Sequence, residues 1–188
     1  MAFGAYQRGN FLYALLEAER RLDGNPKDTA AMTLIGEIYR DGAAVARNDS
    51  EASRWFRLAG NLGDPQAAYE LGVMLVQGEN GVAKDPATAK AQFERAAAKN
   101  HPGALYNLGV MALQGMDGKT PDYNQAAQYF LRAANLGGSS DVITAAYGAL
   151  AGAHYGVGAI PAAWRANLAH HELIERFADR LLACAMLG

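Results

Sequence analysis

Two apolar stripes run along residues 67–76, and both keep helical spacing. Ala67, Leu71, Gly72 and Leu75 form the first. Tyr69, Val73 and Val76, at i, i+4 and i+7, form a second on another face, and Tyr106, Val110 and Leu113 repeat it one unit later. A surface helix ordinarily carries one apolar face, so the second needs an explanation. The unit itself recurs at a period of about 37 residues. Gly36 and Gly42, Gly72 and Gly78, and Gly109 and Gly115 keep one spacing in all three copies.

A second block follows each of these pairs: Ala52, Trp55 and Phe56; Ala89, Gln92 and Phe93; Ala126, Tyr129 and Phe130. Each block ends at a residue suited to a left-handed helix terminus, Gly63, Asn100 and Gly137. The pattern predicts two helices per repeat. Asp64-Pro65 and Asp85-Pro86 place a capping carboxylate before a proline whose missing N–H costs nothing in a first turn, and His101-Pro102 marks a third start. Gly36, Gly72 and Gly109 fall inside helices, where glycine costs about 1 kcal/mol relative to alanine. Their repetition predicts a close approach by the paired helix, and the repeated Ala31, Ala67 and Ala104 fit the same tight contact.

Composition narrows the function classes. The chain has 188 residues, 51% hydrophobic and 19% charged, enough for one sizeable core and without an apolar run of membrane-spanning length. A net charge of -2 with no basic run argues against a nucleic-acid partner. Cys184 is the single cysteine, so no internal disulfide can form, and a buried inert thiol is its expected role. The first residues show no basic leader before an apolar segment, so the expected compartment is the cytoplasm, or the periplasm if a leader once preceded Met1.

The order Ala-x3-Leu-Gly-x2-Tyr-x2-Gly, then Val-x2-Asp as in Val82 to Asp85, then Ala-x2-Trp-aromatic resembles the Sel-1-like repeat, a relative of the tetratricopeptide repeat. The repeats cover about 30–66, 67–103 and 104–137, with degenerate helices in 1–25 turning at Gly9. Departures are Leu75 and Ala112 at the tyrosine position and a third linker, 116–121, without the valine. The resemblance implies an all-α, right-handed α-solenoid of antiparallel helix pairs over 1–137, whose repeats support one another and present an adaptor surface. In the tetratricopeptide arrangement the second apolar face lines the concave groove. Tyr69, Val73, Val76, Tyr106, Val110 and Leu113 would then hold a helix or extended peptide, with Thr33, Glu37 and Arg40 as a more polar rim. Packing against the adjoining repeat is the other reading of the same stripe.

After Leu136 the rhythm breaks, because Gly152 and Gly158 arrive about 43 residues after Gly109 and Gly115. Residues of about 134–183, including Asn135 to Val142, Ala145 to Gly156 and Ile160 to Trp164, resemble the C-terminal segment of ADP-ribosylglycohydrolases. That resemblance implies a magnesium-dependent hydrolase in which Gly-Gly-Asp-x-Asp-Thr supplies metal ligands. Here the matching positions are Ser139, Asp141 and Val142, so a carboxylate and a hydroxyl are missing, and a neutral serine cannot replace lost charge at a divalent cation. Asp141 also suits a helix first turn. The expectation is a helical cap over 138–188, with Leu168, Leu173, Ile174, Phe177, Leu181 and Leu182 as its apolar stripe.

Two smaller constellations carry little. Gly118-Lys119-Thr120 lacks the leading glycine of a phosphate loop, Leu113 standing there, and it follows a helix instead of a strand. His170-His171 with Glu175 has no evident third ligand. The sequence therefore predicts a non-catalytic protein-interaction scaffold with no metal, no cofactor, no nucleic acid and no membrane insertion. The alternatives are an ADP-ribosylglycohydrolase-related module, either binding ADP-ribose or a vestigial magnesium-dependent hydrolase, and a degenerate or artificial fusion without independent activity.

Overall fold

The computed structural model describes residues 2–78, 80–115, 120 and 122–136. The expected cap over 138–188, with Ser139, Asp141, Val142, the two histidines and Cys184, lies outside the described residues, as do Gly118 and Lys119. The regular elements of the described residues are all helices: α1 (Ala2–Gln7), α2 (Phe11–Gly24), α3 (Thr29–Asp41), α4 (Asp49–Asn61), α5 (Pro65–Gln77), α6 (Pro86–Ala98), α7 (Pro102–Gln114) and α8 (Tyr123–Ala134). The chain divides into two compact units, Met1–Ala104 and Leu105–Gly188. The first turn of α7 belongs to the first unit.

Side chains at the helix starts explain where the elements begin. Asp28, Asn48, Asp64 and Asp85 each accept a backbone N–H three residues on, from Ala31, Glu51, Ala67 and Thr88, at 2.9–3.1 Å. Asp122 does the same for Gln125 in the second unit, at 2.9 Å. Each such cap is worth about 1 kcal/mol. The turns that end α4 and α6 pass through the left-handed region at Gly63 (φ 94°) and Asn100 (φ 60°), and Gly9 (φ 79°) turns α1 into α2.

Within the first unit α3 packs on α4, α5 on α6, and α4 against α5. The Asn48 N–H donates to Tyr39 O and the Asp85 N–H to Leu75 O, both at 2.9 Å, tying the end of each first helix to the start of its second. Midway along each pair, Gly36 faces Phe56 and Gly72 faces Phe93, so the two helices of a pair run antiparallel. In the second unit the Asp122 N–H donates to Ala112 O at 2.9 Å, and Gly109 faces Phe130. This explains why Leu75 and Ala112 can stand where the repeat pattern has tyrosine. The bond uses the main-chain carbonyl, which every residue supplies.

The helical glycines mark the predicted close approach. A Cβ built on Gly36, Gly72 or Gly109 would lie 2.7, 2.6 or 2.6 Å from Cε1 of Phe56, Phe93 or Phe130. These three rings are at most 1% exposed. Ala31, Ala67 and Ala104 are buried.

Candidate partner-binding face

The face expected to meet a partner begins on α3. Thr33 is 6% exposed and its hydroxyl donates to Thr29 O at 2.9 Å, so it turns back into its own helix. Glu37 and Arg40 are half-buried. Burial pushes the Glu37 carboxyl up to about 7; Arg40 opposes this, and Glu70, Asp41 and Asp64 add to it. Burial works against the Arg40 charge as well, yet Glu70 and Asp41 outweigh it and hold the guanidinium above the ordinary arginine range. Arg40 Nη1 donates to Glu70 Oε2, its Nε lies 3.4 Å from Asp41 Oδ1, and the guanidinium sits 5.8 Å over the Phe56 ring.

On α5 the same face is more apolar. Val73 is half-buried and Val76 is 37% exposed. Tyr69 is half-buried, stacked on the His101 ring with centroids 4.4 Å apart and tilted against Phe93 at 6.1 Å. Burial, with the charge of Glu70, raises its phenol. In the second unit Tyr106, Val110 and Leu113 are half-buried, and Tyr106 packs on Phe130 at 5.6 Å. Each tyrosine therefore spends one side of its ring on the core and keeps partial exposure.

A polar network crosses this face in the first unit, and most of its members were not among the expected site residues. The Tyr6 hydroxyl donates to Asp41 Oδ2. Arg40 joins Asp41 to Glu70, which is 9% exposed and accepts from Gln66 Nε2 at 2.6 Å. Gln66 Oε1 lies 2.9 Å from His101 Nε2, and the Ala104 N–H donates to His101 Nδ1 at 3.2 Å. His101 thus does at the start of α7 what Asp28 and Asp64 do for α3 and α5. One signal could have found Glu70: it is the lone charge in the apolar run from Ala67 to Val76, and a carboxylate there must find a partner.

A family model described as ADP-ribosylglycohydrolase matches residues 7–187. The chain belongs to that family. The match takes in the repeats as well as the tail to which the resemblance was assigned above. No curated protein matches the chain. The fold is that of Sel1 repeat proteins: a Sel1 repeat protein from Oxalobacter formigenes is 25% identical, with a TM-score of 0.75 over 97% of this chain and 73% of its own. A protective antigen of uropathogenic Escherichia coli strains, displaying an SLR fold, is 18% identical at a TM-score of 0.66, over 98% of this chain and 38% of that one. MamA is 13% identical at 0.55, over 100% of this chain and 98% of its own.

The family implies a magnesium centre. Among the described residues no group of three or more His, Cys, Asp or Glu is placed to hold a metal ion, so they do not fit such a centre. Among them, too, no helix is long and apolar enough to cross a membrane.

Proposed function

We propose that the chain is a non-catalytic protein-interaction scaffold that holds a helical or extended peptide on the face of its first helices. The observation that carries this reading is the outer side of α5, where Tyr69, Val73 and Val76 keep partial exposure beside the Arg40–Glu70 pair. An apolar strip edged by fixed polar groups suits a peptide, whose apolar side chains fill the strip while its polar groups find partners at the edge. The repeat fold shared with Sel1 proteins supports it. Tyr106, Val110 and Leu113 would serve the same purpose on α7, and the cytoplasm is part of this proposal.

The test replaces Tyr69 and Tyr106 together by alanine and follows both helical content and capture of cross-linked partners from the native cell. Loss of specific partners with the helical signal intact supports the face; loss of the fold assigns both rings to the core and overturns it. The family match favours a second reading, an ADP-ribose-binding module. Calorimetry with ADP-ribose and magnesium separates the two, because clear binding abolished by Asp141→Ala would displace the scaffold reading.

A further inference from the structure

We infer that the neutral ring of His101 is an acid-sensitive latch on the first turn of α7. The geometry assigns the tautomer. Nδ1 faces the Ala104 N–H at 3.2 Å and can only accept from it, so the proton sits on Nε2 and is donated to Gln66 Oε1 at 2.9 Å. Gln66 in turn donates to Glu70, which is held by Arg40. The donors point one way along the whole chain of bonds, from Ala104 to Glu70.

Protonation breaks this chain at one point. An imidazolium carries N–H on both nitrogens, so Nδ1 stops accepting and turns a donor toward the Ala104 donor, while the bond from Nε2 to Gln66 survives. A cation also meets the positive end of the α7 dipole. The cap is lost and the first turn of α7 loosens. That turn covers Tyr69: a Cβ on Gly103 would lie 2.9 Å from Tyr69 Cε2, and the His101 ring stacks on the phenol. Loosening uncovers the one aromatic ring of the α5 face.

The groups around the ring fix the direction of the effect. Burial lowers the pKa of His101, and the Asp64 carboxylate, capping α5, works against this without reversing it. Tyr69 and Gln66 face the ring from α5 with Glu70 behind Gln66, Lys99 precedes it at the end of α6, and Glu37 on α3 interacts with Asp64. The latch is closed above the ordinary histidine range and opens as pH falls below it. Asp28 and Asp64 cap the equivalent helices with carboxylates, so α7 is the repeat start whose cap carries an imidazole. The consequence for a bound peptide rests on the function proposed above, whereas the latch itself does not.

Amide hydrogen exchange by NMR at about pH 8 and about pH 5, each corrected for intrinsic rate, tests the latch without any partner. Protection of the Ala104 amide should fall about fivefold on acidification, the size of a lost side-chain cap, while Ala67, capped by Asp64, stays constant. In His101→Asn, a neutral cap, Ala104 should stay protected at both pH values; in His101→Ala it should be weakly protected at both. An equal fall in His101→Asn, or flat wild-type protection while the ring itself titrates, overturns the inference.

Discussion

Gly72→Ala sets two known effects against each other, and the geometry decides the sign. Alanine inside a helix is intrinsically favoured over glycine by about 1 kcal/mol. At Gly72 the new methyl would lie 2.6 Å from Phe93 Cε1, 2.8 Å from Cδ1 and 3.0 Å from Cζ. Carbon atoms are comfortable at about 3.5–4.0 Å, so the ring would have to retreat by close to 1 Å. Phe93 is 1% exposed and backed by Tyr69, and has nowhere to go without moving the helix pair. Overpacking of this kind costs about 1–3 kcal/mol and occasionally more. The net expectation is a loss of up to about 2 kcal/mol, read as a lower urea midpoint at unchanged slope. Gly24→Ala, at a site with nothing within 4 Å, should leave the midpoint unchanged or raise it slightly. Phe93→Leu removes the ring edge, and in that background Gly72→Ala should become neutral or stabilising, a coupling of about 2 kcal/mol in the double-mutant cycle. If Gly72→Ala instead raises the wild-type midpoint as Gly24→Ala does, the close-approach reasoning fails, and with it the explanation of Gly36 and Gly109.

Glu37 should make the fold less stable as pH rises. Its folded carboxyl titrates at about 7 against 4.5 for the free group, so between those values the unfolded chain has shed a proton that the folded one keeps, and the full penalty is present above about pH 7. Discounted for partial exposure, the loss is about 1–2 kcal/mol, and urea midpoints of Glu37→Gln across this range should lack it; an unchanged pH slope would refute the assignment. Arg40→Met leaves the nearly buried Glu70 carboxylate without its cation and should cost about 1–3 kcal/mol, whereas Arg40→Met with Glu70→Met should recover much of it. A double variant as unstable as the single one would show that the pair is not what Glu70 requires.

Much of the fold could be read from local residues because each repeat writes its own geometry. The glycines at 36, 72 and 109 announced a close approach, and the phenylalanines at 56, 93 and 130 are what approaches. The prolines at 65 and 86 announced helix starts, and Asp64 and Asp85 cap them. The network on the face was illegible for a different reason. Tyr6 with Asp41, Arg40 with Glu70 and Gln66 with His101 are each separated by roughly one repeat length. Helical spacing within one segment cannot show such pairs; they appear only when neighbouring first helices are laid side by side. The burial of Thr33 is hidden from spacing for a related reason, since its hydroxyl turns back to Thr29 O within α3.

The repeat is specified by groups that leave the outer face free to differ. Closure of each helix pair uses a helical glycine, a buried phenylalanine and a main-chain carbonyl at Tyr39, Leu75 or Ala112, and the equivalent face positions add an outer contact to each phenylalanine, from Arg40, Tyr69 or Tyr106, that different side chains can supply. Those positions read Thr33, Tyr69, Tyr106; Glu37, Val73, Val110; Arg40, Val76, Leu113. The face thus changes from ionic on α3 to apolar and aromatic on α5 and α7 while the packing beneath stays the same. A surface that varies over a constant frame is where a scaffold can encode its partner, and fold alone assigns none. Three of the carboxylates around it are engaged within the fold, Glu70 by Arg40 and Gln66, Asp41 by Tyr6 and Arg40, and Asp64 by the cap of α5, so what the face offers a partner is set by its apolar and aromatic positions and by Glu37.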